Sequence, residues 1–382
     1  MKTDSFKISS KQAGLYINIP FCLSKCGYCS FYSIKFVNLI PEYITALEKE
    51  IEYYHKRFSS FDTIYIGGGT PSLLSIQQLE TIFEAINKSY KIDSFTEITM
   101  EVNPGDVSSE YFQALRSLGI NRLNIGIQSF DDHILQFLNR RHNSKETIAA
   151  INDSRKAGFD NIGIDLIYGI QGQKISLWKK TIQQALSYAP EHISCYQLSL
   201  SEKTPLYKKY SLNGWQLPDE DAELKLFFTT AGVLENAGYI HYEVSNFARA
   251  ENLKSRHNMK YWQHMPCLGL GPAAHSFSDN KRWWNKAAVK TYLTEIAAGK
   301  MPVENSEILS IEQLQLEALF LGLRTKAGIG LKLYKTRYRV DLLKDKKTVI
   351  ESLIKNKLVE LKDGFLRPTR AGMAVADSLA LI

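Results

Sequence analysis

Short, β-branched apolar runs alternate along this chain with segments of helical periodicity, and that alternation restricts the folds open to it. The runs fall at residues 15–19, 63–66, 97–102, 122–127, 161–167 and 192–198. Pro41 stands where a first helix would begin, and Ile44, Leu47, Ile51 and Tyr54 repeat on one face after it. Ser75 and Gln78 have the spacing of a capping box ahead of Leu79, Ile82, Phe83 and Ile86. Ser108 opens a third helical segment; Gly119 closes it, and Gly158 closes a later one in the same way. Six strand–helix units predict parallel strands joined by right-handed crossovers. They suffice for an α/β open sheet or partial barrel, but not for a closed eight-stranded one. In either form, ligands belong at the C-terminal ends of the strands.

The alternation stops near residue 200. Residues 203–219 read as a loop, 219–237 as one helix, and 239–286 as a stretch without regular period, rich in aromatics, His, Asn and Gly. From about Ile308 onward, helical segments precede an apolar run at 358–361, the turn Lys362-Asp363-Gly364 and a second run at 365–367. A final helix is expected after Gly372. Helices followed by a two-stranded wing give a winged-helix-like module. With 382 residues, the chain exceeds one ordinary domain. The expected division is 1–200 for the barrel, 201–305 for an extension of it, and 306–382 for the smaller C-terminal domain.

A net charge of +7 is spread along the chain without a dense basic run. It favours anionic ligands and gives a solvated basic surface; nucleic acid is not an expected partner. No apolar run reaches the length of a membrane span. The first residues lack the apolar stretch of a signal peptide, so a cytoplasmic location is expected.

The five cysteines are Cys22, Cys26, Cys29, Cys195 and Cys267, an odd and lopsided set that does not suit a disulfide framework. Three of them form C-x3-C-x2-C directly after the first strand. Three thiolates on one loop can hold three irons of a [4Fe–4S] cubane and leave the fourth iron open to an outside ligand. A zinc site is the competing reading, but structural zinc takes four closed ligands and no fourth lies nearby.

This loop is the defining motif of the radical S-adenosylmethionine superfamily, which the chain resembles; an aromatic at the Tyr28 position is usual there. The resemblance implies a partial (β/α)6 barrel, S-adenosylmethionine bound at the open iron, and its reductive cleavage to a 5′-deoxyadenosyl radical. The likeness narrows through Tyr16-x-x-Ile19-Pro20-Phe21-Cys22, GGGTP at 67–71, EVNPG at 101–105, IGIQSF at 125–130 and Arg140. Together these resemble oxygen-independent coproporphyrinogen III oxidase and the haem chaperones related to it. By that likeness Tyr16, Tyr28, Gly68, Gly69, Thr70, Glu101, Gln128, Arg140 and Asp165 map to cofactor-binding positions, some of which serve a second S-adenosylmethionine in the oxidase. From position alone, Glu101 reads equally as a solvated strand end. Asp165, a charge inside an apolar strand, must be either paired or ligand-facing. The family commonly has proline where Gln171 stands.

Three features favour the chaperone branch. Phe31 occupies the place of the oxidase's further cysteine, Cys22 lies close to the start of the chain, and His257-Asn258-Met259-Lys260-Tyr261-Trp262 resembles the haem-associated HNxxYW motif. The resemblance implies haem contact through His257, Asn258, Tyr261 and Trp262, with Arg256 and Lys260 placed to meet propionates. From the residues alone, the favoured reading of His257 is a hydrogen bond within a folded aromatic cluster, and His241, His264, His275 and Cys267 compete as ligands. The implied partners are haem and a haem-accepting apo-protein such as a respiratory enzyme, with peripheral membrane association left open. The oxidase reaction is the alternative, and a radical enzyme acting on nucleic acid ranks last.

Overall fold

The structure, a computed structural model, describes residues 13–213 and 217–379. Six parallel strands form its centre: β1 (Gly14–Ile19), β2 (Thr63–Gly68), β3 (Glu97–Val102), β4 (Arg122–Gln128), β5 (Ile162–Tyr168) and β6 (His192–Gln197). They lie in sequence order, each joined to the next through a helical crossover. Local chemistry sets the helix ends. Pro41 sits in the first turn of helix Ile40–Tyr54, Ser75 and Gln78 form the expected capping box, and Ser108 caps Ser109–Ser117.

Side-chain alternation builds the core. On β1, Leu15, Ile17 and Ile19 are fully buried in one apolar cluster with Tyr43, Leu47 and Ile51 of the first helix. Burying each aliphatic side chain contributes about 1.5–3 kcal/mol. Tyr16 and Asn18 have the opposite parity and join a polar interior, with the Tyr16 hydroxyl donating to Asn18 Oδ1 at 3.1 Å.

The stretch 239–286, in which the sequence shows no regular period, extends the sheet on both sides. β8 (Asn246–Ala248) adds antiparallel to β6, and β7 (Ile240–Glu243) adds antiparallel to β8; β9 (Cys267–Leu270) pairs parallel to β1. β10 (His275–Ser278), β11 (Lys281–Asn285) and β12 (Val303–Ile308) continue antiparallel from β9. The result is an open twelve-stranded sheet around a partial (β/α)6 barrel. Strands of three to five residues such as β7 to β11 are too short to show a period in sequence. The loop expected at 203–219 is corrected as well: Pro205–Asn213 is helical, with Leu206 packed under the cysteine loop. Its weak amphipathic pattern hid it, and residues 214–216 lie outside the described residues.

The C-terminal part has its own core around Leu319, Leu323, Ile329, Leu342, Ile350 and Leu366. A small sheet joins β13 (Ile329–Gly330), β15 (Phe365–Pro368) and β14 (Val359–Lys362). The β14–β15 turn holds Asp363 at φ 50° and Gly364 at φ 78°, the left-handed pair of a tight hairpin. The segment after it forms two short helices, Arg370–Ala374 and Ala376–Leu379, the first beginning ahead of Gly372. Among the described residues no helix is long and apolar enough to cross a membrane.

Candidate cofactor site at the barrel mouth

The C-terminal ends of the six central strands open onto one cavity of about 480 Å³. Cys22, Cys26 and Cys29 line its rim as free thiols on the loop after β1. The loop is pinned on several sides. Cys22 N–H donates to Ile34 O at 3.0 Å, Gly27 N–H to Leu138 O at 3.1 Å, and Leu206 N–H to Gly27 O at 2.8 Å. Two polar side chains already address the sulfurs: Thr70 Oγ1 donates to Cys22 Sγ at 3.3 Å, and Arg140 Nη1 to Cys26 Sγ at 3.4 Å. Contacts of this kind hold the sulfurs in place for a metal they bind. Among the described residues no trio of His, Cys, Asp or Glu converges as a single-ion site would require. In a cubane each thiolate binds a different iron, so the ligands stand further apart.

Tyr28, Gly68, Gly69, Thr70, Glu101, Gln128, Arg140 and Asp165 all line the same cavity. Glu101 accepts from Tyr65 Oη at 2.8 Å and from Gly68 N–H at 3.2 Å, and burial pushes its carboxyl up to about 7. Asp165 accepts from Asn124 Nδ2 at 2.7 Å through one oxygen; the other is buried and has no hydrogen-bond partner among the described residues. Burial pushes its carboxyl up to about 6. Arg140 Nη2 donates to Asn103 Oδ1 and to Gly126 O, both at 2.6 Å, while its Nε is buried with no partner among the described residues. Gln128 ends β4 at φ +63°, a left-handed backbone that a side chain other than glycine adopts at a cost. Carboxylates, side-chain amides and a guanidinium gathered around one mouth fit a polar ligand with amino, carboxylate and ribose groups. The donor set therefore fits a cluster on the three thiols and S-adenosylmethionine beside it. Bound there, that pair would supply one-electron radical chemistry.

Sequence reasoning missed Tyr65, Asn103, Asn124 and Tyr196, which share this lining. Strand parity was the available signal for two of them. Asn124 is two and four residues from Gly126 and Gln128, and Asn103 is two from Glu101, so each pair lies on the same inward face. Tyr16 does not line the mouth. It lies deeper, its ring tilted against Tyr65 at 6.1 Å and against His257 at 6.4 Å.

The HNxxYW segment sits at the other end of the barrel, on helix Arg256–Trp262. His257 N–H donates to Glu97 Oε1 at 2.9 Å, and its Nδ1 lies 2.9 Å from Thr63 Oγ1; these partners are the first residues of β3 and β2. Gly14 makes room for the ring, because a Cβ there would sit 3.1 Å from His257 Cε1. His257 Nε2 lies 3.0 Å from Tyr261 Oη, so both ring nitrogens are engaged. Burial holds its pKa down to about 3. Asn258 takes part through its backbone, donating to the capping Ser255 Oγ at 3.3 Å. Trp262 Nε1 is buried with no partner among the described residues, whereas Tyr261 is 40 % exposed. Lys260 pairs with Asp62 at 2.7 Å, and Arg256 donates to Phe95 O at 2.6 Å and to Asp62 at 3.4 Å. Of the competing ligands, His241 is buried, stacked on Phe247 at 4.2 Å and bonded to Val244 O at 3.2 Å. Mouth residues and HNxxYW residues thus form two separate places.

Comparison with known proteins places this geometry. Residues 16–185 match the Radical SAM superfamily, and residues 309–375 match the HemN C-terminal domain. The heme chaperone HemW of Bacillus subtilis is 33% identical over 369 residues, covering 95% of this chain and 97% of that one. HemW of Lactococcus lactis is 33% identical over 91% of each chain. Among solved structures, Escherichia coli coproporphyrinogen III oxidase HemN superposes with a TM-score of 0.85 over 98% of this chain and 90% of its own, at 21% identity, which establishes the shared fold. With its mouth residues and its C-terminal domain, the chain belongs to the HemW heme chaperone family of the radical SAM superfamily.

Proposed function

We propose that this chain binds haem and hands it to an acceptor protein, and carries a [4Fe–4S] cluster on Cys22, Cys26 and Cys29 with S-adenosylmethionine beside it. The observation that carries the proposal is the likeness to heme chaperones over nearly the whole of both chains, C-terminal domain included. Phe31 adds support: it is 71 % exposed beside the cluster loop, and its side chain cannot ligate a metal. Glu101, Gln128, Arg140 and Asp165 with the Gly68-Gly69-Thr70 turn would hold S-adenosylmethionine, and Tyr28 would cover the cluster. Residues 1–200 would carry that mouth, 201–305 the haem-contacting segment, and 306–382 the smaller domain. A respiratory haem protein is the acceptor class the reading favours. Clustered free thiols suit a reducing compartment, which supports a cytoplasmic location, with the acceptor reached at the membrane surface.

The second reading, oxidative decarboxylation of coproporphyrinogen III, draws on the shared fold. One assay separates the two. The chain is reconstituted without oxygen and supplied with S-adenosylmethionine, a reductant and coproporphyrinogen III. Formation of 5′-deoxyadenosine reports a working cluster. Untouched coproporphyrinogen beside a working cluster is expected; protoporphyrinogen IX formed over many turnovers would make the chain an oxidase.

A further inference from the structure

A second cavity, of about 420 Å³, opens between β9–β11 and helix Ile311–Gly322 of the C-terminal part. Its size falls within the range of small-molecule sites. The walls are flat and mainly apolar, built from Tyr261, Met265, Phe277, Phe320 and Leu321. Three candidate iron ligands reach it: His264, Cys267 and His275. Cys267 is 2 % exposed and bonded to Tyr261 Oη at 3.4 Å; burial pushes its thiol up to about 11, which keeps it protonated and a poor ligand. His264 is stacked on Phe277 with ring centroids 4.4 Å apart, and its Nε2 faces Glu317 at 3.2 Å.

His275 differs from both. Strand alternation puts it on the same face of β10 as Phe277, and its cross-strand partner Trp284 stacks on it at 5.8 Å and 21°. Among the described residues its imidazole has a ring neighbour but no hydrogen-bond partner. Burial and nearby Arg282 hold its pKa below the usual value, so the ring is neutral with a lone pair to give. Arg282 itself is occupied by Glu307 and Glu317, which leaves propionates to the open side, where Tyr261 and Phe320 are partly exposed.

We propose that haem sits in this groove, with its face against the aromatic wall and His275 as axial ligand. The proposal rests on the haem-chaperone reading and locates its cargo. It also gives the HNxxYW motif a role its buried histidine cannot fill directly. Tyr261 is the motif residue that lines the groove, and His257 holds the Tyr261 hydroxyl at 3.0 Å. His257 is then a positioning residue. Because Phe320 and Leu321 come from the C-terminal helix, haem would bridge the two parts of the molecule.

The test is a haem titration of the full chain carrying its cluster, followed by magnetic circular dichroism, which separates haem from cluster bands. In His275→Gly the histidine-ligated signature is expected to disappear, affinity to fall at least tenfold, and added imidazole to restore the signature. His257→Gln is expected to weaken binding but keep that signature. Leu321→Trp, which fills the groove from the helix, is expected to abolish binding without touching a ligand. An unchanged spectrum and affinity in His275→Gly, or wild-type binding by Leu321→Trp, would overturn the groove while leaving the chaperone reading standing. A wild-type chain that takes up no haem would overturn the chaperone reading, and the groove with it.

Discussion

Asp165 is the mouth residue whose sequence position says most and whose surroundings say more. A carboxylate within an apolar strand must be paired or face a ligand; Asn124 satisfies one oxygen, and among the described residues none is placed to bond the other. If that oxygen meets S-adenosylmethionine, Asp165→Asn should weaken its binding about tenfold, the scale of one hydrogen bond to a charged group. Cluster content should not change. Calorimetric titration of the reconstituted chain, with iron and sulfide assayed in parallel, checks both. Gln128 makes a related case through its backbone. A side chain kept at φ +63° next to a ligand cavity marks strain retained for function. Gln128→Gly removes the steric cost, so the melting temperature should hold or rise while S-adenosylmethionine binds more weakly. A variant that loses stability and keeps its affinity would mean that Gln128 is structural.

The six central strands are legible as elements because each is long enough to show a period, and several helices between them begin on a recognisable residue such as Pro41, Ser75 or Ser108. β3 is read to its last residue. β7 to β11 were not legible, since strands of three to five residues in an aromatic-rich stretch leave no pattern to count. Nor does a motif state which end of a barrel it occupies. HNxxYW reads as a ligand site in sequence, and only the contacts of His257 with the first residues of β2 and β3 place it at the end opposite the cysteines. Glu50 shows how the added strands are locked to the barrel. Fully buried on helix Ile40–Tyr54, it accepts from Gly271 N–H at 2.8 Å, Tyr292 Oη at 2.7 Å and Asn285 Nδ2 at 2.6 Å. Burial pushes its carboxyl from 4.5 up to about 7. Between those values the folded state holds a proton that the unfolded chain has released. This group's contribution to stability therefore falls as pH rises through that window. Glu50→Gln removes the titration, so its melting temperature should gain on the wild type between about pH 5 and about pH 7. Parallel curves for the two proteins would show that Glu50 is not the group that titrates.

At the scale of the whole molecule, two ligand places share one sheet but not one end of it. The mouth collects Cys22, Cys26 and Cys29 together with Glu101, Gln128, Arg140 and Asp165. The groove beside β10 collects apolar walls and an imidazole that has no hydrogen-bond partner among the described residues. A decarboxylase needs its porphyrin substrate within reach of the radical formed at the mouth. A carrier can hold its porphyrin elsewhere and release it to a partner. The separation of the two places therefore favours transfer over turnover, in agreement with the family to which the chain belongs. The most direct measurement loads the chain with haem, mixes it with an apo-haem protein, and follows haem into the acceptor after the two are separated. Haem moving to the acceptor faster from the loaded chain than from an equal amount of haem on serum albumin is the predicted result. Haem that stays on the chain, or transfer no faster than from albumin, would contradict the carrier function.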